Sequence, residues 1–83
     1  MNLEQRLEKI NSVKDADRQR ELAKAYIARL RSVAKKAGTL SEKLAMYEKV
    51  KAAEMVLKQL RLMAFDIEDA IAMGKKPASL LAA

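Results

Sequence analysis

Cysteine, histidine and tryptophan are missing from this chain, proline occurs once, glycine twice, and aromatic residues make up only 4%. Without Cys or His there can be no disulfide, no thiolate or imidazole zinc site, no Ser-His-Asp triad and no Cys-His dyad. Carboxylates, amines and hydroxyls are what remain for chemistry. The expectation is a protein that is not an enzyme and that holds neither cofactor nor metal. The opening Met-Asn-Leu-Glu-Gln-Arg has no basic segment followed by an apolar one. No stretch nears the roughly 18 uncharged residues that a spanning helix needs. A soluble, cytoplasmic protein with no membrane partner is therefore expected.

The scarcity of Pro and Gly leaves long runs without a breaker, and the β-branched residues are too scattered for strands. What fills those runs is Ala, Leu and Met within an apolar content of 51%, a mixture that favours helix. At 83 residues the chain makes one domain at most, and such a domain buries only about 60% of its unfolded surface. The core must be thin, so self-association or a partner would help it.

Gly38 and Gly74 punctuate the chain, each placed where a helix ends and a left-handed residue is wanted. Thr39-Leu-Ser-Glu42 follows as a capping box and starts a helix expected over about 40–73. Upstream, Asp15 or Asp17 can cap a helix over about 16–37, with Ser12 and Asp15 as a weaker box. Asn2 caps a short helical segment over about 3–11 that carries Leu3, Leu7 and Ile10. The expected fold is all-α: a long antiparallel helical hairpin (about 16–37 and 40–73) with a short N-terminal helical segment. If the chain bends between Asn11 and Lys14, that segment folds back and makes a three-helix bundle. If it does not, residues 3–37 form one arm. Residues 1–74 make the domain and 75–83 a short tail, which either docks through Leu80 and Leu81 or stays loose.

Both arms are amphipathic at the helical period. In the first, Leu22, Ala23, Tyr26, Ile27, Leu30, Val33, Ala34 and Ala37 share one arc. In the second, the main stripe runs through Val50, Ala53, Val56, Leu57, Leu60, Met63, Ala64, Ile67, Ala70 and Ile71. Leu40, Leu44, Met55, Leu62 and Met73 fall on roughly the opposite side. A hairpin partner covers only one stripe. The second is scattered surface apolar residues, a stripe that the first helix of a three-helix bundle partly covers, or an apolar interface, and Met content and the thinness of the domain favour an interface at Leu44, Met55, Leu62 and Met73.

The net charge of +6 is localised: residues 22–41 hold Lys24, Arg29, Arg31, Lys35 and Lys36 and no acid. On the helical wheel Arg20, Lys24, Arg31 and Lys35 form one row, and Arg18, Arg29 and Lys36 another. Such rows either lay their stems over the core edge with their heads in water, or straddle an anionic partner. The expected partner-binding residues are Arg20, Lys24, Arg29, Arg31, Lys35 and Lys36.

Asp66, Glu68 and Asp69 sit late in the expected long helix, where its dipole disfavours anions. Lys75, Lys76, Arg6, Lys9 or a partner should compensate. Tyr26 and Tyr47 read as core-edge packing. The terminal Leu81-Ala82-Ala83 resembles the end of the bacterial trans-translation degradation tag, which AAA+ unfoldase proteases read. The resemblance covers three residues, and Ala-rich composition is the preferred explanation of it.

The function expected from these residues is non-catalytic: an adaptor, small regulator or inhibitor that engages another macromolecule through the basic helix and the second apolar face. A protein partner is expected, with the chain a homo-oligomer or a subunit of a complex. The alternative is a nucleic-acid-binding protein that contacts phosphates through residues 18–36. Against it stand the lack of stacking aromatics and of any helix-turn-helix, zinc or RNA-binding signature.

Overall fold

The computed structural model describes residues 1–81, and among these it is all-α. Helix α1 spans Leu3–Glu8, α2 Val13–Lys36, α3 Leu40–Leu62 and α4 Ala64–Ala72, followed by a 3-10 turn at Pro77–Leu81. Helices α2 and α3 form the antiparallel hairpin, and the molecule is elongated, 49 × 24 × 17 Å along its principal axes.

The chain bends between α1 and α2, and side-chain caps explain where. Asn2 and Gln5 close a full capping box on α1: the Gln5 amide donates to Asn2 Oδ1 (2.8 Å) and the Asn2 amide to Gln5 Oε1 (2.9 Å). The weaker of the two expected starts opens α2: the Asp15 amide donates to Ser12 Oγ (3.2 Å), and the Asp15 carboxylate accepts from the Asn11 amide (3.0 Å). Helix α2 therefore begins at Val13 and not near 16, and α1 ends at Glu8 and not near 11. Helix α3 repeats the device, with the Glu42 amide donating to Thr39 Oγ1 (3.1 Å) and the Gly38 amide to Glu42 Oε2 (3.2 Å). Each cap is worth about 1 kcal/mol.

The two glycines behave differently. Gly74 has φ +72° and ends α4 in a Schellman motif, its amide donating to Ile71 O (3.0 Å) and the Lys75 amide to Ala70 O (2.8 Å). Gly38 is not left-handed. Ala37 leaves the helix in an extended conformation (φ −62°, ψ 134°), and Gly38 only bridges to the Thr39 cap.

The expected single helix over 40–73 is interrupted at Met63 (φ −89°, ψ 2°), although neither Pro nor Gly stands there. The cause is tertiary. Helix α4 leans onto α2 and onto the C-terminal turn, which brings Ile67 and Ala70 inside and leaves Phe65 in solvent. The interruption also gives α4 its own N-terminus, with Asp66 in its first turn, where the dipole favours an anion.

The core is one cluster running through all four helices, from Leu7 and Ile10 through Ala23, Ile27 and Leu30 to Val50, Leu57, Leu60 and Ile67. Its most completely buried large side chains are Leu7, Ile10, Leu60, Ile67 and Pro77. All five lie at the end where α1, α4 and the C-terminal turn close over the hairpin. The tail docks there through Pro77, Ala78 and Leu80. Toward the hairpin tip only two helices remain. Leu22 and Val33, placed on the buried arc by the wheel, are exposed, since both lie at the margin of that arc, well off the line of Ala16, Ala23, Ile27, Leu30 and Ala34 that is buried.

Arg6 was a candidate to neutralise the acidic cluster, but it is buried and donates instead to Gln19 Oε1 of α2 (3.1 Å). Burial lowers its pKa from the usual guanidinium value, and the nearby Tyr26 pulls the other way. Ala82 and Ala83, the last two residues of the tag-like ending, lie outside the described residues.

Candidate functional site: a cationic groove on the hairpin seam

Along one side of the α2–α3 seam runs an open groove of about 770 Å³. Helix α2 contributes Lys24, Ile27, Ala28 and Arg31, and α3 contributes Lys51, Glu54, Met55, Leu57, Lys58 and Arg61. An adjoining hollow of about 490 Å³ extends it toward the hairpin tip through Lys35, Tyr47 and Val50. Helical spacing explains the assembly. Lys24, Arg31 and Lys35 recur at seven and four residues on α2, and Lys51, Lys58 and Arg61 at seven and three on α3, so each row stays on one face. Buried or half-hidden apolar side chains form the floor, cations form both walls, and Glu54 is the one acid.

The cations are held in different ways. Arg31 donates to Glu54 across the seam (2.5 Å), tying the two walls together. Lys24 lies 3.6 Å from Glu21 on its own helix, and Arg20 pairs with Asp17. All three pairs are at least partly exposed, so each contributes little to stability. Lys51, Lys58 and Arg61 take part in no ion pair among the described residues.

The groove gathers only part of the expected basic set. Lys24, Arg31 and Lys35 line it, whereas Arg29 and Lys36 stand on the other rim of α2. Arg29 lies over the Tyr26 ring, 5.3 Å from its centroid, and Lys36 borders a separate shallow hollow with Val33 and Met46. Arg20 lines none of these hollows. Lys51, Lys58 and Arg61 do not stand out in the sequence, because they lie outside the acid-free stretch, interspersed with Glu48 and Glu54. The available signal was their spacing of seven and three residues, which keeps them on one side of α3.

The second apolar stripe is exposed throughout. Leu40, Leu44, Met55, Leu62 and Met73 all face solvent, Leu62 and Met73 at 67%. Phe65, which the wheel did not single out, is the most exposed large apolar side chain, at 80%. It follows Leu62 by three residues, on the far side of the Met63 interruption. Among the described residues no helix is long and apolar enough to cross a membrane, and no group of three or more carboxylates is placed to hold a metal ion.

No known protein family, curated protein or solved structure matches the chain.

Proposed function

We propose that this chain is a non-catalytic helical binding protein, an adaptor, small regulator or inhibitor, that engages an acidic amphipathic helix of a partner protein in the α2–α3 groove. The observation that carries this reading is the joining of cations on both walls with an apolar floor at Ile27 and Leu57 and the exposed Met55 at its rim. A helix laid there would complete a three-helix bundle along the part of the hairpin that α1 and α4 leave uncovered. Its apolar stripe would meet the floor and its flanking carboxylates the walls. A phosphate backbone would satisfy the walls and leave the floor in water, which ranks nucleic acid second.

Fluorescence anisotropy with a labelled acidic amphipathic peptide, run beside duplex and single-stranded oligonucleotides across a range of salt, tests the reading. The peptide is expected to bind. Replacing Lys58 and Arg61 together by Glu should weaken it by at least about tenfold, roughly 1.4 kcal/mol. Binding of oligonucleotides alone, collapsing steeply as salt rises, would instead establish the phosphate-binding alternative.

A further inference from the structure

We infer that the exposed face of α3 and α4 is where two copies of this chain meet, antiparallel, with the two-fold axis passing between Met63 and Ala64. This deepens the binding reading above by naming an occupant for its apolar face. Met55, Lys58 and Leu62 on α3 and Phe65, Asp69 and the C-cap residue Met73 on α4 recur at spacings of three and four residues across the interruption, where the Met63 amide still donates to Gln59 O and the Ile67 amide to Met63 O, and each of the six is exposed. From Met55 to Met73 the face is basic before the Met63 interruption and acidic after it, Glu54 beyond that span being held by Arg31. Lys58 and Arg61 stand on one side, Asp66, Glu68 and Asp69 on the other.

A face that changes sign at its midpoint is self-complementary under a two-fold rotation, as an isologous interface requires. In this register Leu62 packs on Phe65 of the second copy, Lys58 faces Asp69, Arg61 faces Glu68 and Gln59 lies beside Asp66, each contact occurring twice. A register shifted by two helical turns, with the axis near Leu60, opposes Glu54 to Glu68 and Arg61 to its own counterpart. Like charges therefore select against it. Pairing ends at Gly74, where the chain leaves the helix.

A second observation points the same way. None of the ion pairs among the described residues involves Asp66, Glu68, Asp69, Lys58 or Arg61. The compensation expected from Arg6 is spent on Gln19. Opposite charges thus lie exposed on the two halves of one face, separated by its largest exposed apolar side chains.

Sedimentation equilibrium on the full chain, from micromolar to millimolar, tests the pairing. A dimer is expected. Lys58→Asp and Asp69→Lys should each weaken it by at least about tenfold, and the double variant should recover most of the loss. All these positions are exposed, and circular dichroism checks that helix content is kept. The chain has no cysteine, so a mixture of Leu62→Cys and Phe65→Cys chains gives an independent reading of orientation. Under mild oxidation the mixed disulfide should form in preference to either symmetric one. A monomer at every concentration, no recovery in the double variant, or a preference for symmetric cross-links would each overturn the proposal. Asp69 lies outside the groove, so Asp69→Lys should weaken the dimer without weakening peptide binding, and the two readings can fail independently.

Discussion

At the scale of single residues, the two glycines make opposite predictions. Gly74 is left-handed, and a side chain there is strained even though the space around it is open. Gly74→Ala should cost about 1 kcal/mol, a fall in Tm of roughly 4–8 °C for a domain of this size. Gly38 has an ordinary φ and nothing within 4 Å of an added Cβ. Gly38→Ala should be neutral, or stabilising by up to about 1 kcal/mol through the unfolded chain. Thermal melts of the two variants decide this directly. The buried Arg6–Gln19 pair invites a double-mutant cycle. Arg6→Met alone strands the Gln19 carbonyl oxygen and should cost about 1–3 kcal/mol, whereas Arg6→Met with Gln19→Leu should recover part of it. Denaturant titration gives both values, and simple additivity of the two single changes would refute the coupling.

Among the elements, stability should be uneven. The end closed by α1, α4 and the C-terminal turn holds the fully buried side chains, while the hairpin tip around Ala37 to Leu44 has two helices and no cover. Amide hydrogen exchange should therefore be slowest around Leu57, Leu60 and Ile67 and fastest in the last turn of α2 and the first of α3. Uniform protection along α2 and α3 would contradict this. The contrast also shows what could be read from the residues alone. The hairpin, the Thr39 cap and the Gly74 stop were legible because each depends on local chemistry at fixed spacing, whereas Gly38 reads as left-handed and is not. The Met63 interruption and the docking of Arg6 were not legible. Each depends on where α1 and α4 land, which no local pattern carries, and the interruption has no breaker residue to announce it.

For the whole molecule, the charge surplus and the apolar surplus turn out to be arranged together. Half of the expected basic set, Lys24, Arg31 and Lys35, meets Lys51, Lys58 and Arg61 across an apolar floor, and the apolar stripe extends from Met55 through Phe65 on the adjoining face of α3 and α4. The basic residues of α2 were legible as a row. Their union with those of α3 follows only from the register in which the two helices pack, with Arg31 against Glu54. Met55 and Lys58 belong to both the groove and the self-pairing face. Filling the groove with a partner helix should therefore lower the dimer fraction, which the same sedimentation experiment reads when acidic peptide is added.

The groove is the centre of this account, and mapping backbone amide chemical shifts while an acidic amphipathic peptide is titrated in tests it most directly. The largest changes should fall on Lys24, Ala28, Arg31, Lys51, Met55 and Lys58, and saturate together. Saturable binding that leaves those amides unmoved, or shifts centred on Arg29 and Lys36 across the α2 rim, would contradict it.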